Sequence, residues 1–352
     1  MRRILLLAAL LLPLAGCSTP GPAPARSAPL SLAEIRAIPK IDVHSHYERD
    51  DTALVGALES WNLRSVLVNV LSDGRLVEKG ENMLRLAAAH PERFAYITTF
   101  DPAPVDDPDF AARTIARLRE EIARGAKGVK VWKTIGMEIR DGQGRYVQID
   151  DPRYQPIWDF LAAQRIPVLA HIGEPQAAWL PLDPNDPHYG YYSTHPEYHA
   201  YVHPEIPRWE AIVAARDRWV ARNPTLVIVA AHMASLERDV DEVAKRLDAY
   251  PNLYVETAAR VNDLAMQPSP KVRAFMIRYQ DRVMYGTDFG EGNTTRARLD
   301  GGFAQHWSYL AGADSVTFGR QGAWYARVPG LALPRPVLEK IGHLNAERVL
   351  RL

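Results

Sequence analysis

The sequence contains almost no cysteine and no excess charge of either sign. Cys17 is the only cysteine among 352 residues, so a disulfide within the chain is excluded. Lysine plus arginine and aspartate plus glutamate number 42 each, which gives a formal net charge of zero with histidine neutral. No basic run stands out against this balance, and a nucleic-acid partner is therefore not expected.

The chain begins with the features of an export signal. Two arginines precede the apolar stretch Ile4 to Leu12, which is too short to span a bilayer well. The stretch leads into Leu14-Ala15-Gly16-Cys17, which resembles a bacterial lipobox. We expect residues 1–17 to be a lipoprotein signal peptide with Cys17 lipidated, and the Pro/Ala-rich residues 18–30 to form a tether. The protein would then be anchored by lipid to the bacterial cell envelope, at the outer membrane or facing the periplasm. A plain signal peptide with an incidental cysteine is the alternative.

From Leu30 onward, short apolar runs alternate with amphipathic stretches. The apolar runs are rich in β-branched residues, as buried parallel strands are. The predicted strands cover residues 40–44, 65–71, 94–99, 127–132, 166–171, 226–232, 252–257 and 282–287. Helical patterns are predicted at 78–89, 107–124, 152–164, 208–222, 236–250 and 270–279. The alternation predicts an α/β fold, a (β/α)₈ TIM barrel formed by residues 31–352.

Two connections of the predicted barrel are unusually long. Glu174–Pro207 follows strand five, and Gly290–Arg335 follows strand eight. Both begin at strand carboxyl ends, where barrel active sites lie, so we expect them to form a lid or pocket walls. His195, His199 and His203 have i, i+4 spacing, but the tyrosines and prolines around them favour a lid lining over a metal site.

Ligand-type side chains stand at the carboxyl ends of four predicted strands. His44 and His46 end strand one, and their i, i+2 spacing aims both imidazoles to one side of a strand. His171 ends strand five, His232 ends strand six, and Asp288 follows strand eight. A barrel would bring these residues around one mouth. Imidazoles with a carboxylate suit a divalent metal, most readily Zn²⁺, with Mn²⁺ or Fe²⁺ possible.

These residues resemble the metal-dependent amidohydrolase superfamily. The resemblance rests on His-Ser-His, on the histidines of strands five and six, and on Gly-Thr-Asp-Phe at strand eight. The nearest branch is the amidohydrolase 2 group, which includes aminocarboxymuconate semialdehyde decarboxylase-like enzymes. The resemblance implies that His44, His46, His171 and Asp288 are metal ligands. It implies that His232 is an acid/base or polarises the substrate, and that Asp288 also takes a proton from metal-bound water.

Lys130 lies between valines in predicted strand four, where lysine is rarely buried without a reason. Three roles stay open for it. By the resemblance, it could be carboxylated and bridge two metals, as in binuclear members of the superfamily. It could instead contact substrate or a ligand within the active site, or form a structural ion pair.

Three further residues are candidates for substrate binding. Arg260, just beyond strand seven, could pair with a substrate carboxylate, although a loop salt bridge is as well supported. Glu174 could reach the pocket or simply start the loop after strand five. Trp132 could stack on a flat substrate or pack in the core.

The function expected from these features is that of a metal-dependent hydrolase. Metal-activated water would attack a small amide, ester or lactone, with Asp288 as base and His232 polarising the carbonyl. The alternative reaction is nonoxidative decarboxylation of a small unsaturated or aromatic carboxylic acid. A non-catalytic ligand-binding lipoprotein stays open as a third reading. The partners expected are a small-molecule substrate, the membrane through Cys17 and, by the resemblance, a second copy in a homodimer.

Overall fold

The computed structural model describes residues 30–71, 74–319 and 323–352. Within these ranges, nine strands form one sheet whose neighbouring strands run parallel. The predicted signal peptide, Cys17 and all of the tether before Leu30 lie outside the described residues. No helix in the part of the chain described here has the length and apolar character needed to cross a membrane.

The sheet strands follow one another in sequence order around the barrel. They are β1 (Lys40–His46), β2 (Leu63–Val68), β3 (Phe94–Thr99), β4 (Val129–Val131), β5 (Val168–Ala170), β6 (Ile228–Ala230), β7 (Leu253–Glu256), β8 (Val283–Met284) and β9 (Phe289–Gly290). A separate antiparallel hairpin joins β10 (Ser315–Gly319) to β11 (Tyr325–Pro329).

Helices fill the connections between the strands. The α-helices of regular geometry are Leu32–Ala37, Thr52–Ser60, Leu76–Ala89, Phe110–Ala123, Gln155–Gln164, Tyr189–Thr194, Trp209–Arg222, Val240–Ala249, Val261–Ala265, Ser269–Arg278, Arg296–Ala311, Arg335–Glu339 and Asn345–Leu350. Side-chain caps start several of them; Asp51, for example, accepts a hydrogen bond from the Ala53 amide at 2.7 Å.

The barrel closes where β9 pairs with β1. Ser45 is paired with Phe289 and His46 with Gly290 in a parallel ladder. Below this ladder, the Val43 amide donates to the Tyr285 carbonyl at 3.0 Å. The first strand and the end of the last therefore share a hydrogen-bonded seam, and the predicted (β/α)₈ barrel is confirmed.

Apolar side chains fill the barrel from below. One cluster of buried residues combines Ile41 of β1, Val66 of β2, Leu169 of β5 and Met284 of β8 with Leu350 of the C-terminal helix. Residues from strands on opposite sides can touch only inside the barrel. A larger cluster packs the outer faces of the strands against the helices. Polar side chains are thus left to the upper end of the barrel, above this apolar floor.

Both long connections carry structure of their own. The connection after β5 contains short 3₁₀ turns at Gln176–Trp179, Pro196–Tyr198 and Ala200–Val202 besides its helix. The connection after β9 contains a long helix and the β10–β11 hairpin. The two meet where the Trp324 amide donates to the Pro184 carbonyl at 3.0 Å. The predicted long loops after strands five and eight are confirmed.

Candidate metal centre and active site

Three predicted ligands meet at the seam of the barrel. Nε2 of His46 lies 3.1 Å from Oδ1 of Asp288, and Nε2 of His44 lies 3.4 Å from the same oxygen. The ligand atoms of these three residues all lie within 4.8 Å of one another. Two imidazole nitrogens and a carboxylate oxygen facing one point can hold a divalent metal ion.

His171 and His232 complete the row of imidazoles but are not members of that group of three. The ring centroid of His232 lies 4.9 Å from that of His44 and 4.2 Å from that of His171. In the described part of the chain, Nε2 of His171 is buried without a hydrogen-bond partner. A buried imidazole nitrogen without a partner is costly, and a metal ligand is the role that would satisfy it. His171 therefore fits the ligand role that the resemblance gives it.

In three of the site histidines, Nδ1 has a hydrogen-bond partner on the side of the ring that faces away from the cavity. Nδ1 of His46 donates to the Val68 carbonyl at 2.7 Å, and Nδ1 of His232 donates to the Ala258 carbonyl at 2.9 Å. Nδ1 of His44 lies 3.0 Å from Oε1 of Glu256. Such partners fix the tautomer and leave Nε2 with the lone pair, as metal ligation and proton acceptance require.

Sequence reasoning missed Glu256. This carboxylate is fully buried at the end of β7, and its Oε1 also accepts a hydrogen bond from the His232 amide at 2.8 Å. Glu256 thus joins the metal-ligand candidate His44 to the acid/base candidate His232. The available signal was a single acidic residue closing the apolar run Leu-Tyr-Val-Glu.

Left-handed backbone conformations place two of the functional side chains. His232 has a φ of 57° directly after β6, and Asp288 has a φ of 65° between β8 and β9. Non-glycine residues seldom adopt this conformation, and it is concentrated at functional sites. Asp42 supports the same region, because its carboxyl accepts hydrogen bonds from the amides of His44 at 3.1 Å and Thr287 at 2.9 Å.

Burial favours the neutral form of three of the site histidines. It lowers the pKa of His44, of His171 and of His232 well below the ordinary value. Cationic neighbours act in the same direction, Lys130 on His44 and Arg260 on His232. Neutral imidazole is the form that binds metals and accepts protons.

Lys130 lies next to the ligand candidates. Its Nζ is 3.1 Å from Nε2 of His44, and burial lowers its pKa to about 8. Among the described residues, no carboxylate lies within hydrogen-bond distance of this ammonium. The structure thus places Lys130 beside the metal-ligand candidates, without the ion pair that was one of its three expected roles.

A cavity of about 310 Å³ opens above these residues. Its lining includes every predicted site residue that the structure describes except His44: His46, Lys130, Trp132, His171, Glu174, His232, Arg260 and Asp288. Val70, Lys133, Pro175, His188, Tyr191, Tyr192 and Ala259 complete the wall. The cavity is large enough for a small organic molecule and too small for a macromolecular chain.

The three predicted substrate-binding residues differ in the contacts that they make with the rest of the protein. Arg260 is 5% exposed, with Nη1 donating to the Ala259 carbonyl at 3.2 Å and Nε lying 3.7 Å from Oε2 of Glu237. Glu174 forms a buried ion pair with Lys133, a residue that sequence reasoning also missed. Trp132 packs edge-on against Tyr198, with ring centroids 6.3 Å apart.

A second cluster of ionisable residues borders the cavity. Nε2 of His188 lies 2.8 Å from Oδ1 of Asp263, which accepts the hydrogen bond, and Glu237 lies beside both residues and beside Arg260. The cluster thus combines two acids with a guanidinium and an imidazole. The run His195, His199 and His203 is absent from the metal-capable groups of the described residues; His199 instead stacks on Tyr192 with ring centroids 5.5 Å apart.

Comparison with known proteins finds related folds at low sequence identity. No curated protein sequence matches the chain. An uncharacterised TIM-barrel protein from Bordetella bronchiseptica has a TM-score of 0.53 at 17% identity, over 89% of this chain and 98% of its own. The 2,6-dihydroxybenzoate decarboxylase from Rhizobium has a TM-score of 0.53 at 15% identity, over 89% and 98%. At such identities the likeness establishes the fold.

A third similar structure contains a metal. The 5-carboxyvanillate decarboxylase from Novosphingobium aromaticivorans, in complex with manganese and 4-hydroxy-3-methoxy-5-nitrobenzoic acid, has a TM-score of 0.51 at 14% identity. The alignment covers 90% of this chain and 97% of that protein. Metal binding by a protein of this fold is consistent with the group formed by His44, His46 and Asp288.

The sequence profile of the amidohydrolase family matches residues 66–352. The match contains His171, His232 and Asp288, whereas His44 and His46 precede it on the strand that closes the barrel. The predicted relationship to the amidohydrolase 2 group is confirmed, and with it the prediction that the chain is an enzyme. The chain belongs to the amidohydrolase family.

Proposed function

We propose that the protein is a metal-dependent carboxy-lyase, which removes a carboxylate from a small aromatic or unsaturated acid without an oxidant. The observation that carries this proposal is the excess of cationic over anionic side chains in the cavity lining, where Lys130, Lys133 and Arg260 face Glu174 and Asp288. Lys130 and Arg260 both line the cavity, and the ion pair of Lys133 with Glu174 is neutral overall. A divalent ion at the three-residue group would add to this charge, and an anionic substrate would be attracted to the site.

The two cations are available to a substrate to different degrees. Nζ of Lys130 contacts only an imidazole nitrogen among the described residues. Arg260 has Glu237 near its Nε, and its Nη2 has no hydrogen-bond partner in the described chain. A guanidinium has five N–H donors in a fixed fork, so several are left for a carboxylate.

The cavity wall also suits a flat molecule. Trp132, Tyr191 and Tyr192 bring aromatic surface to a cavity of about 310 Å³. Aromatic side chains favour offset or edge contacts with another ring. The similar structures from Rhizobium and Novosphingobium aromaticivorans are decarboxylases of substituted benzoates, which supports the same substrate class for this chain.

The residues of the site divide the work of decarboxylation. Lys130 and Arg260 bind the anionic groups, and His232 contacts the substrate through its free Nε2. The carbon–carbon bond breaks, carbon dioxide leaves, and the electron pair left on the carbon takes up one proton, which Asp288 is assigned to relay from water. A bound divalent ion, Zn²⁺ first and Mn²⁺ or Fe²⁺ next, would supply positive charge and hold the substrate in place. His44, His46, His171 and Asp288 would hold it.

Hydrolysis of an amide, ester or lactone is the second candidate. It is supported by the family match and by three neutral imidazoles beside an aspartate, which can serve as general base and carbonyl contact. In that reaction Asp288 takes the proton of the attacking water, and His232 polarises the carbonyl.

A substrate screen separates the two reactions. The metal-loaded protein lacking residues 1–17 is incubated with hydroxylated benzoates and unsaturated dicarboxylates, and released carbon dioxide is measured. A second panel contains amides, esters and lactones. Carbon dioxide release that Lys130→Met abolishes without loss of bound metal supports the carboxy-lyase. Turnover confined to the second panel contradicts it and supports the hydrolase.

We also propose that the chain is anchored through Cys17. The support is the lipobox-like sequence Leu14-Ala15-Gly16-Cys17. Mass spectrometry of the N-terminal peptide, after expression in a bacterial host, tests it. An acylated Cys17 is expected, with Cys17→Ala as the matched control. An unmodified cysteine contradicts the anchor.

A further inference from the structure

Lys133 is a buried cation with an unusually complete set of partners. Its side chain forms an ion pair with Glu174 and lies 3.3 Å from the Tyr191 hydroxyl. Its Nζ lies 3.5 Å from the ring centroid of Tyr198, and 5.5 Å from those of Tyr191 and Trp132. Only 3% of the residue is exposed. One ammonium is thus enclosed by three aromatic rings and a carboxylate, an arrangement that favours a cation strongly when water is excluded.

The rings around Lys133 come from different parts of the fold. Trp132 and Lys133 follow β4, and Glu174 follows β5. Tyr191 and Tyr198 belong to residues 189–202, a segment that we call the lid because Tyr191 and Tyr192 line the cavity from it. Lys133 therefore joins the lid to the barrel.

The backbone of the lid does not fasten it to the barrel. Its hydrogen bonds are local, such as the His195 amide to the Tyr191 carbonyl at 2.9 Å and the His199 amide to the Pro196 carbonyl at 3.0 Å. Side chains must hold it instead. Just before the lid, His188 is bound to Asp263 at 2.8 Å. Further along the lid, Tyr192 and Ala200 are buried in the core and Tyr198 contacts Trp132. The polar contacts to the barrel converge on Lys133 and Glu174, whose Oε2 accepts a hydrogen bond from the Tyr192 hydroxyl at 3.3 Å.

We propose that Lys133 is a positioning residue, which fastens the lid over the cavity by holding Tyr191 and Tyr198 and so keeps the aromatic wall in place for substrate. The ammonium is fully engaged by these partners and is not a third anion-binding cation. Loss of the ammonium would leave Glu174 as a buried carboxylate without its counter-charge, next to two tyrosines that have lost their contact. The fastening of the lid stands on geometry alone, whereas its value for substrate binding rests on the proposed function.

Hydrogen exchange tests the fastening in the metal-loaded protein lacking residues 1–17. In Lys133→Met, we expect the amides of His195, His199 and Val202 to exchange at least about tenfold faster, since the cation and its ring contacts are lost. Lys133→Arg keeps the charge and should retain most of the protection. Lys127→Met is the matched control, because Lys127 contacts only the Arg351 carbonyl, at 3.5 Å, near the chain terminus. Unchanged lid exchange in Lys133→Met would overturn the proposal.

Two further measurements keep the result decisive. Exchange of the β1–β7 amides reports whether a variant is folded. If Lys133→Met does not fold, Tyr198→Leu removes the nearest ring but keeps the ion pair, and the same acceleration is expected; protection equal to that of the wild type contradicts the proposal.

Benzoate binding, measured calorimetrically, relates the lid to the proposed function. We expect Lys133→Met to weaken the affinity about tenfold and Lys133→Arg to change it little. If the wild-type protein binds no benzoate while the lid of Lys133→Met exchanges faster, the proposed substrate class is wrong but the fastening of the lid by Lys133 is supported. Benzoate affinity unchanged in a variant whose lid exchanges faster contradicts the link between lid and substrate.

Discussion

Oε1 of Glu256 lies 3.0 Å from Nδ1 of His44 and 2.8 Å from the backbone amide of His232. One oxygen atom thus orients a metal-ligand candidate and an acid/base candidate from behind. Burial raises the pKa of this carboxyl, and the hydrogen bonds that it accepts from the backbone amides of Ala258 and His232, together with the charge of Lys130, oppose that effect. The position of both imidazoles depends on a residue that does not line the cavity.

Glu256→Gln should weaken metal binding. The amide oxygen of glutamine can take the place of Oε1, but its NH₂ group cannot accept the Ala258 amide as Oε2 does, and the neutral side chain no longer supports the basicity of the His44 ring. We expect the affinity for Zn²⁺ or Mn²⁺ to fall by about 10- to 100-fold, measured by competition with a chelating dye. Glu242→Gln, on the exposed face of a helix, is the control. An affinity equal to that of the wild type would mean that Glu256 is only structural.

His46→Ala and His232→Ala should separate metal binding from catalysis. His46 contacts Asp288 within the three-residue group, and its loss should remove most of the bound metal. His232 is oriented by the Ala258 carbonyl and stands outside that group, so His232→Ala should keep its metal and lose turnover. Elemental analysis and turnover are measured on the same samples. Loss of metal from His232→Ala would reverse the assigned roles.

Lys130→Ala should leave the metal count unchanged at about one per chain, because both metal-capable groups near Lys130 contain His44, whose Nε2 can bind only one ion. Turnover should fall strongly at the same time. Elemental analysis of the metal-replete protein, with wild type in parallel, is the measurement. A wild-type count of about two that falls to one in Lys130→Ala would instead establish a carboxylated lysine bridging two metals.

Lys40→Met should destabilise the barrel far from the active site. Nζ of Lys40 donates to the carbonyls of Ile35 and Ile38, both at 2.6 Å, and to that of Trp61 at 3.1 Å. Methionine leaves these buried acceptors unpaired, and we expect the free energy of unfolding to drop by about 3 kcal/mol. Urea unfolding measures this loss. Lys271→Met, which removes a half-buried lysine paired with Asp239 and Asp241, is the control, with an expected loss below about 1 kcal/mol. Equal losses in both variants would contradict the role of the buried ammonium.

Asp42→Asn should change how stability depends on pH. Burial raises the pKa of Asp42 to about 7, so the folded carboxyl keeps its proton at a pH where the unfolded one has lost it. The stabilisation from that proton is complete at low pH and is lost as the pH rises through 7. Between about pH 5.5 and about pH 7.5, the free energy of unfolding of the metal-free Asn variant should therefore rise by about 2 kcal/mol relative to that of the wild type. Parallel stability curves for the two proteins would show that Asp42 does not titrate in this range.

The strand–helix alternation could be predicted because each element carries its own periodicity. The helix at 209–222, predicted at 208–222, and β3 at 94–99 agree with the sequence pattern almost to the residue. Strand ends near the site were predicted too long. Strand six was extended to His232 and strand eight to 287, but the left-handed residues His232 and Asp288 end or interrupt both. Neither position is a glycine, so the sequence does not indicate the left-handed conformation.

The site itself was predictable only where the signal is local. The His-Ser-His spacing is such a signal, although β1 is irregular between Asp42 and Ser45 and simple alternation does not hold through it. Glu256 and Lys133 carry no motif; their roles arise from contacts with residues of other strands and of the lid. The helix at Thr52–Ser60 was also missed, because its small and apolar residues give a weak amphipathic pattern.

The seam between β1 and β9 also has a consequence for the order in which the protein is made. The ribosome delivers His46 early, and its partner Asp288 follows 242 positions later. A nascent chain therefore lacks the group formed by His44, His46 and Asp288 until the last strand of the ring has emerged. Metal binding at this group is then one of the final steps of maturation. An ion that binds across the seam stabilises only chains that are complete and folded.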